Sequence, residues 1–483
     1  QSSPTQYFWY RKTLDISEDI NHFGNFNWNI AGSLLLAWLL CYGCMIKGIA
    51  SSGKVVYVTS TFPYLVLVTF FFRGITLEGM SDGIIHLFKP KWEKLSDPVV
   101  WLEAGTQIFF SLGLGFGGLI AFSSYNPVHN NCYRDAIFVS LTNCMTSMFA
   151  GIVVFSVLGF KAHKMDKQCY AKRNETFQLF ISNSSRYMNV SDEFIMKMLE
   201  GQNETSEYSM FKLKKCDIEE ELEKGASGPG LAFIVFTEAI NEFHRFTPFW
   251  SILFFMMLFT LGIDSQFGTL EGAVTSIVDL KMFPNLRKEI LTGCICLVSF
   301  ILSLMFAHGA GNYIFALFDN FAGNFPLLIV AFCECIAISY VYGLKRFSDD
   351  LELMTGHRPS YYMLFCWRYI SPLTMGIILI SSFIKLCGDN RYETWDMKTG
   401  RVVEKEWPHW ANILIIVLIS MSALWIPLVA ILRFWGIKVL NDEEPSWFPA
   451  DELREYRGIP IRKVTSFERI LFQMKDYNPS DEV

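Results

Sequence analysis

Long runs of apolar residues alternate with polar turns along most of this chain. Crossing the roughly 30 Å apolar layer of a bilayer takes about 20 residues of helix. Nine runs of about this length predict nine spanning helices, at 28–46, 55–72, 104–125, 136–160, 246–263, 290–307, 321–342, 361–384 and 410–432. A membrane β-barrel would instead show short segments of alternating polarity. The pattern therefore predicts an all-α polytopic membrane protein.

Composition excludes several other classes of protein. Only 18% of the residues are charged, whereas soluble domains carry roughly a quarter. The net charge of -6 provides no basic surface for nucleic acid. Twelve cysteines in 483 residues do not form a disulfide scaffold. Because no H-E-x-x-H or comparable catalytic motif occurs, we expect neither an enzyme nor a prosthetic group.

One long polar insertion, residues 161–228, indicates which side of the membrane is external. Its four N-x-S/T sequons predict glycosylation at Asn174, Asn183, Asn189 and Asn203. Cys169 and Cys216 lie in the same insertion and either form a disulfide there or remain free thiols. With this loop outside, the turns on the opposite side contain Lys47, Lys54, Arg134, Lys281, Arg287, Lys288, Lys345, Arg346 and Arg358. The outside turn 308–320 contains no Lys or Arg, so these turns follow the positive-inside rule.

The same alternation places the C-terminal tail in the cytoplasm and the first 27 residues outside the cell. No signal peptide precedes those residues. We therefore expect that an odd number of upstream spans is missing from this chain.

Three short motifs resemble nucleotide-binding or redox sites. Gly113–Gly118 fits G-x-G-x-x-G, but the fingerprint requires a strand before it and a soluble sheet around it. Gly48–Lys54 resembles a P-loop, except that Val55 stands where Ser or Thr is required. The C-x-x-C of Cys41 and Cys44 lies inside a span and is better explained as buried apolar cysteine.

The glycine cluster of 113–118 favours a different function. Four glycines in six residues weaken a helix by roughly 1 kcal/mol each relative to alanine. Unwound backbone at membrane depth survives where it lines a cavity or packs against protein. Secondary transporters bind solutes and ions at broken helices of this kind. Close helix packing through small residues is the alternative interpretation.

Polar residues in the neighbouring spans favour an ion site. Two adjacent spans contribute pairs spaced four residues apart, and a carboxylate follows in a third span; the residues are Gln107, Ser111, Asn143, Ser147, Asp264 and Ser265. Side-chain oxygens suit a hard cation, and hydroxyl and amide donors suit an anion. An intramembrane carboxylate indicates a functional site by default. For any single residue, a structural interhelical hydrogen bond is the alternative.

Three segments resemble the neurotransmitter sodium symporter family. They are Gln107–Gly117, Asn143–Ser147 and Leu261–Ser265, which are similar to the sixth, seventh and eighth helices of that family. The similarity extends over about residues 5–436. Shorter stretches, including Gly356–Pro359, resemble the epithelial neutral amino acid (system B-zero type) and imino acid transporters. The resemblance implies a LeuT-type inverted-repeat fold with helices 4–12 present and helices 1–3 missing.

The resemblance also implies a role for individual residues. One sodium ion would be held by Ser111 and Asn143. A second would be held by Leu261, Asp264 and Ser265. Chloride would take donors from Gln107, Ser111, Asn143 and Ser147. The solute pocket would be lined by Phe110, Ser111, Gly113, Phe116, Ser265 and Thr269, and Asp319 would be the carboxylate of the outer gate.

The function that the resemblance implies is sodium- and chloride-dependent symport of neutral or imino amino acids, incomplete in this chain. Residues 1–27 would be the remainder of the second extracellular loop, 28–436 the transporter domain, and 437–483 the cytoplasmic tail. Because the absent helices would supply part of the site, we expect that residues 1–483 alone do not transport. The alternative is a short isoform that binds or regulates a full-length transporter. A channel is disfavoured because no repeated pore-loop filter occurs.

The resemblance further implies partners and a location. The partners are a small neutral amino acid, the lipid bilayer, and a single-span chaperone of the collectrin or angiotensin-converting-enzyme-2 kind. We expect a multi-pass protein of the plasma membrane, in the apical membrane of epithelial cells.

Overall fold

The computed structural model describes residues 4–46, 49–183, 218–223, 230–241, 243, 246–280, 286–388, 391–396, 401–437 and 463–474. Within these ranges the chain is almost entirely helical, and its strands form one two-stranded hairpin. The all-α fold class is therefore confirmed.

The α-helices are numbered α1 to α19 in chain order. They are α1 Pro4–Tyr7, α2 Trp28–Met45, α3 Ile49–Ile75, α4 Met80–Phe88, α5 Pro98–Ser111, α6 Gly118–Ser123, α7 Cys132–Asn183, α8 Ile218–Glu223, α9 Thr237–Asn241, α10 Thr247–Asp279, α11 Lys288–Ser303, α12 Gly311–Phe318, α13 Phe325–Ile336, α14 Leu344–Thr355, α15 Tyr361–Phe365, α16 Ser371–Gly388, α17 His409–Ala423, α18 Trp425–Phe434 and α19 Ser466–Leu471. Wider π-helical turns occupy Phe8–Thr13, Leu231–Phe236, Asp319–Asn324, Ala337–Gly343 and Cys366–Ile370. Tighter 3₁₀ turns occupy Trp92–Ser96 and Leu304–Ala307, and the strands are β1 Arg391–Asp396 and β2 Arg401–Glu406.

Seven helical stretches of the described chain are long and apolar enough to cross a membrane, namely Trp28–Met45, Gly53–Ile75, Cys132–Lys172, Thr247–Asp279, Lys288–Ala307, Gly311–Thr355 and Tyr361–Gly388. An eighth span is formed by α17 and α18, which are bent by 52° at their junction. The ninth predicted span, 104–125, is not a continuous helix, because α5 ends at Ser111 and α6 begins at Gly118. The glycine cluster thus breaks the helix where its low helix propensity predicts.

The spans pack around α10. This helix contacts α2, α3 and α6, while α11 lies against α2 and α13 lies against α16. On α11, Cys296 is buried in a cluster with Cys41 and Met45 of α2, whereas Leu297 and Leu302 are 59% and 63% exposed. A helix that is apolar on all sides and exposes large side chains is typical of a bundle surrounded by lipid.

Helix α7 is longer than predicted. The sequence predicts a span over 136–160 followed by a polar loop, but the helix continues to Asn183. Within the predicted span α4 packs along it, so closely that a Cβ at Gly83 would lie 1.9 Å from the Phe155 carbonyl oxygen. Ion pairs of 2.8 Å, Lys161 with Glu238 and Lys167 with Glu78, bind the extension to other segments.

The predicted glycosylated loop is therefore helical in its first part. Asn174 lies on the α7 extension and is exposed, and Asn183 is the last residue of the helix. Asn189 and Asn203 lie outside the described residues. Cys169 is disulfide-bonded, and its predicted partner, Cys216, lies outside the described residues.

The hairpin covers one end of the bundle on the predicted extracellular side. Strands β1 and β2 pair antiparallel, with Tyr392 opposite Lys405. The Tyr392 ring stacks on Trp407 at a centroid distance of 4.3 Å, and Trp395 stacks on Tyr10 at 4.5 Å. These rings form an apolar cluster with Ile16 and other residues of the N-terminal segment, which we call the hairpin cluster.

Candidate functional site

The break between α5 and α6 is built on left-handed glycines. Gly113, Gly115 and Gly117 have φ values of +65°, +78° and +79°. Side chains with a Cβ cost roughly 1–2 kcal/mol in this conformation, so glycine is the residue that makes such a path possible. Residues 113–116 consequently leave the helical hydrogen-bonding pattern, and their peptide groups become available as ligands.

Gly115 and Gly118 of the glycine cluster are also fixed by close packing. A Cβ at Gly118 would lie 3.2 Å from the Gly268 carbonyl oxygen, and one at Gly272 would lie 3.1 Å from the Gly118 nitrogen. The start of α6 therefore rests directly on the backbone of α10. The unwound Gly115 lies against Leu327 of α13, where a Cβ would be 3.2 Å from the side chain. Both interpretations of the glycine cluster apply, since it unwinds the helix and also packs closely.

The structure brings together the predicted residues of α5 and α7. The Ser111 hydroxyl donates a 2.9 Å hydrogen bond to the amide oxygen of Asn143. Gln107 lies one turn before Ser111 and Ser147 one turn after Asn143, and both are exposed. Hydroxyl and amide groups at this point can bind a cation through oxygen or an anion through N–H and O–H.

Asp264 occupies the interior of α10, which continues to Asp279. Its carboxylate accepts a 3.0 Å hydrogen bond from the hydroxyl of Thr59, a buried residue of α3. Ser265 is exposed, and its carbonyl oxygen accepts a hydrogen bond from Thr269. Leu261, one turn earlier, is 45% exposed. This face of α10 therefore groups a carboxylate with a hydroxyl and carbonyl oxygens, which are ligands for a hard cation.

Thr59 is absent from the prediction, although the sequence contains a signal for it. Pro63 lies inside α3, four residues after Thr59. Proline has no N–H, so the Thr59 carbonyl receives no helical hydrogen bond. The same turn of α3 thus offers a carbonyl oxygen in addition to the hydroxyl that contacts Asp264.

Two aromatic residues meet at the break. The rings of Phe110 and Phe116 meet edge to face, with centroids 5.6 Å apart. They are two of the predicted pocket residues, Phe110 in the last turn of α5 and Phe116 within the unwound segment. Asp319, the predicted gate residue, begins a π-helical turn of the span Gly311–Thr355 and is exposed.

A second polar cluster lies beyond α6, and the sequence did not predict it. Glu271 of α10 is 2% exposed, and Lys288 at the start of α11 forms a 2.8 Å ion pair with it. The Tyr125 hydroxyl, shortly after α6, donates to the same carboxylate oxygen at 3.3 Å and accepts from Lys288 at 3.2 Å. This cluster connects the end of the broken helix to α10 and α11. Its signal was Glu271 itself, an acidic residue within an apolar helix.

A helical membrane bundle that is interrupted by an unwound, glycine-lined segment is typical of secondary transporters. The sequence profile of the sodium:neurotransmitter symporter family matches residues 1–437. The chain belongs to this family.

Curated relatives give the same family. The chain is 43% identical over 446 residues to the sodium-dependent neutral amino acid transporter B(0)AT2 of Rattus norvegicus, covering 90% of this chain and 61% of the relative. It is 43% identical to B(0)AT3 of Mus musculus, over 89% of this chain and 71% of that protein. Identity to B(0)AT1 of Mus musculus is 42%, over 90% and 69%. The chain thus spans about 61% of the length of the B(0)AT2 relative.

Proposed function

We propose that this chain forms the greater part of a sodium-driven symporter for neutral amino acids. The observation that carries the proposal is the bonded pair Ser111 and Asn143 at the edge of the unwound glycine segment. The similarity to proteins named sodium-dependent neutral amino acid transporters supports it. Residues 28–436 are the transporter domain of this proposal, and 437–483 are its cytoplasmic tail.

Two cation sites are part of the proposal. One uses Ser111 and Asn143, and the other uses the Leu261 carbonyl with Asp264 and Ser265. Phe110, Phe116 and Thr269 belong, with Ser111, Gly113 and Ser265, to the proposed solute pocket. Sodium bound beside the solute would couple solute uptake to the ion gradient. The bundle would change conformation only with both sodium and solute bound, or with neither bound.

A chloride site is also part of the proposal. Its donors would be Gln107, Ser111, Asn143 and Ser147, of which the structure joins Ser111 and Asn143 directly. An anion beside the sodium site would offset the charge of the cation at membrane depth. Asp319 is proposed as the gate on the predicted extracellular side.

The remaining expectations extend the same proposal. They are glycosylation at the four sequons, pairing of Cys169 with Cys216, an apical epithelial membrane and a single-span chaperone. Glycosidase treatment followed by non-reducing peptide mass mapping tests the first two, because each modified asparagine and the bridge produce defined masses. Co-purification with a collectrin-like partner tests the last.

Sodium binding can be measured independently of transport. The full chain is purified in detergent and its melting temperature is followed as sodium replaces choline at constant ionic strength. Binding to the folded state raises the melting temperature with sodium concentration. We expect such a rise in the native chain and a much smaller one in Asp264→Asn. An identical response to choline would reject the cation sites.

Uptake of a labelled neutral amino acid by cells expressing the chain tests the transport activity. Sodium-dependent uptake would establish the symporter and would contradict the expectation that residues 1–483 do not transport alone. Sodium binding without uptake, together with co-purification of a full-length relative, would instead favour the regulatory isoform.

A further inference from the structure

Residues 463–474, which contain α19, pack against the ends of two spans. We call them the tail segment. Its residues Phe472 and Met474 are 1% and 3% exposed, and they form a buried cluster with Leu344 and Leu364. Leu344 is the first residue of α14, and Leu364 is the second-last residue of α15. The tail segment is therefore seated in an apolar depression on the side predicted to be cytoplasmic.

A buried carboxylate fixes the tail segment in place. Glu468 is 1% exposed, and it forms a capping box with Thr465 at the start of α19. One of its oxygens lies 3.4 Å from the guanidinium of Arg358. Arg358 belongs to the Gly356–Pro359 stretch between α14 and α15, which the proposed transport function does not use. A buried charge of this kind is retained where a partner of opposite charge faces it.

A second arginine reaches the tail segment from the neighbouring span. Arg368 donates to the side-chain oxygen of Gln473 at 2.8 Å and to the Ser339 carbonyl at 2.5 Å. The Tyr369 hydroxyl donates to the Leu471 carbonyl at 2.6 Å. Arg368 therefore bonds the tail segment and the opposite span at the same time.

The two spans meet here through π-helical turns. These turns are Ala337–Gly343 and Cys366–Ile370. The Ser339 hydroxyl donates to the Trp367 carbonyl, and the Tyr340 hydroxyl donates to the Arg368 carbonyl. Single π-helical turns frequently occur at functional sites, because they leave carbonyl groups outside the regular α pattern.

We propose that the surface formed by these two turns and the 356–359 loop is a docking site, and that its occupant is the tail segment of the same chain. The match of Glu468 to Arg358 and of Gln473 to Arg368 argues for this occupant. Docking clamps the two π-helical turns against each other. A protein that binds the tail segment must withdraw Phe472, which frees both turns and uncovers both arginines.

Hydrogen exchange of the full chain in detergent or nanodiscs, read by mass spectrometry, tests this docking. Phe472→Ala removes the apolar anchor and Glu468→Gln removes the charge that faces Arg358. Both variants should increase exchange at least tenfold in residues 463–474 and in the turns 337–343 and 366–370. Ile470→Ala is the matched control, since Ile470 is in the same segment and is 80% exposed. Its exchange should equal that of the native chain.

Exchange that increases in residues 463–474 while both turns remain unchanged would overturn the clamp. Swapping the two charges provides an independent test. Glu468→Arg should lose protection from hydrogen exchange, and combining it with Arg358→Glu should restore that protection. An unaltered melting temperature in all variants shows that the bundle remains folded. Co-purification of two differently tagged copies that Phe472→Ala abolishes would overturn the choice of occupant, because the segment would then bind a second copy.

Discussion

The hydroxyl of Thr59 lies 3.0 Å from a carboxylate oxygen of Asp264 and donates a hydrogen bond to it. The two residues are 205 positions apart in sequence and belong to α3 and α10. The bond therefore fixes the carboxylate of the proposed second cation site from a neighbouring span. It also stabilises the negative charge of Asp264, which is costly to place at membrane depth.

We predict that Thr59→Val weakens sodium binding. A hydrogen bond to a charged group contributes about 1.5–3 kcal/mol, so the sodium concentration for half-maximal stabilisation should rise roughly tenfold or more. The measurement is the sodium dependence of the melting temperature. Thr69→Val is the control on the same helix, because the Thr69 hydroxyl is exposed and bonds only within its own helix, to the Leu65 carbonyl. Equal responses of the two variants would contradict the role of Thr59.

A second prediction concerns the stability of variants at the glycines with positive φ. Gly113→Ala meets no atom within 4 Å, so its cost comes from its φ of +65° alone. We expect destabilisation of about 1–2 kcal/mol. Gly115→Ala adds contact with Leu327 at 3.2 Å and should cost more. Thermal unfolding in detergent, compared among the variants, measures this order.

Gly43→Ala serves as the control for the glycine series. Gly43 lies inside α2 with open space around it, so alanine should stabilise the helix by about 0.5–1 kcal/mol. Opposite signs for Gly43→Ala and Gly113→Ala would establish that the unwound backbone is part of the folded state. Stabilisation by Gly113→Ala would show that the segment becomes helical.

Much of this fold could be predicted from the sequence, because the bilayer allows few alternatives. Apolar length located the spans, and the glycine cluster located the break between Ser111 and Gly118. The prediction failed where the determinant was a contact between distant segments. The extension of α7 forms ion pairs with Glu238 and Glu78 of other segments, and no periodicity in 161–183 indicates it.

The candidate site was predictable to a similar degree. The motif that contains Ser111 and the motif that contains Asn143 identified two residues that do bond. Thr59 and Lys288 were missed, because a hydroxyl or an amine that pairs across the bundle has no local pattern. A carboxylate in an apolar helix, such as Glu271, requires a partner but does not identify it.

We predict that Lys288→Met strongly destabilises the chain. Removing one partner of a fully buried ion pair typically costs about 3–5 kcal/mol, because the remaining charge is buried without compensation. Glu271 is 2% exposed but Lys288 is 33% exposed, so we expect a loss toward the lower end of this range. Glu271 retains only its bonds from Tyr125 and Thr275 in this variant. The double variant Lys288→Met with Glu271→Gln should recover most of the loss. The melting temperatures of the single and double variants provide the measurement.

The control for this pair is Lys167→Met. Its partner is Glu78, and the two side chains are 61% and 80% exposed. Exposed pairs are screened by water and contribute little, so the melting temperature should hardly change. If Lys288→Met behaved like Lys167→Met, the buried cluster would have no part in stability.

Acid should destabilise the N-terminal segment through Asp19, whose carboxylate is hydrogen-bonded to Asn21 and His22 in the same turn. Partial burial raises the pKa of this carboxyl. Hydrogen bonds from His22 and from the Asn21 backbone N–H, together with the nearby charge of Lys405, lower the pKa by more than burial raises it, so the net shift is downward. A carboxyl whose pKa falls on folding stabilises the folded state above its unfolded pKa of about 3.9. That stabilisation is lost as the pH falls through the folded pKa. We therefore expect the native chain to melt higher than Asp19→Asn at neutral pH, and the difference to shrink only as the pH falls below about 4, where the folded carboxyl becomes protonated. Melting curves of both proteins across this range provide the measurement. A difference that stays constant with pH would mean that the carboxyl acts through shape and not through charge.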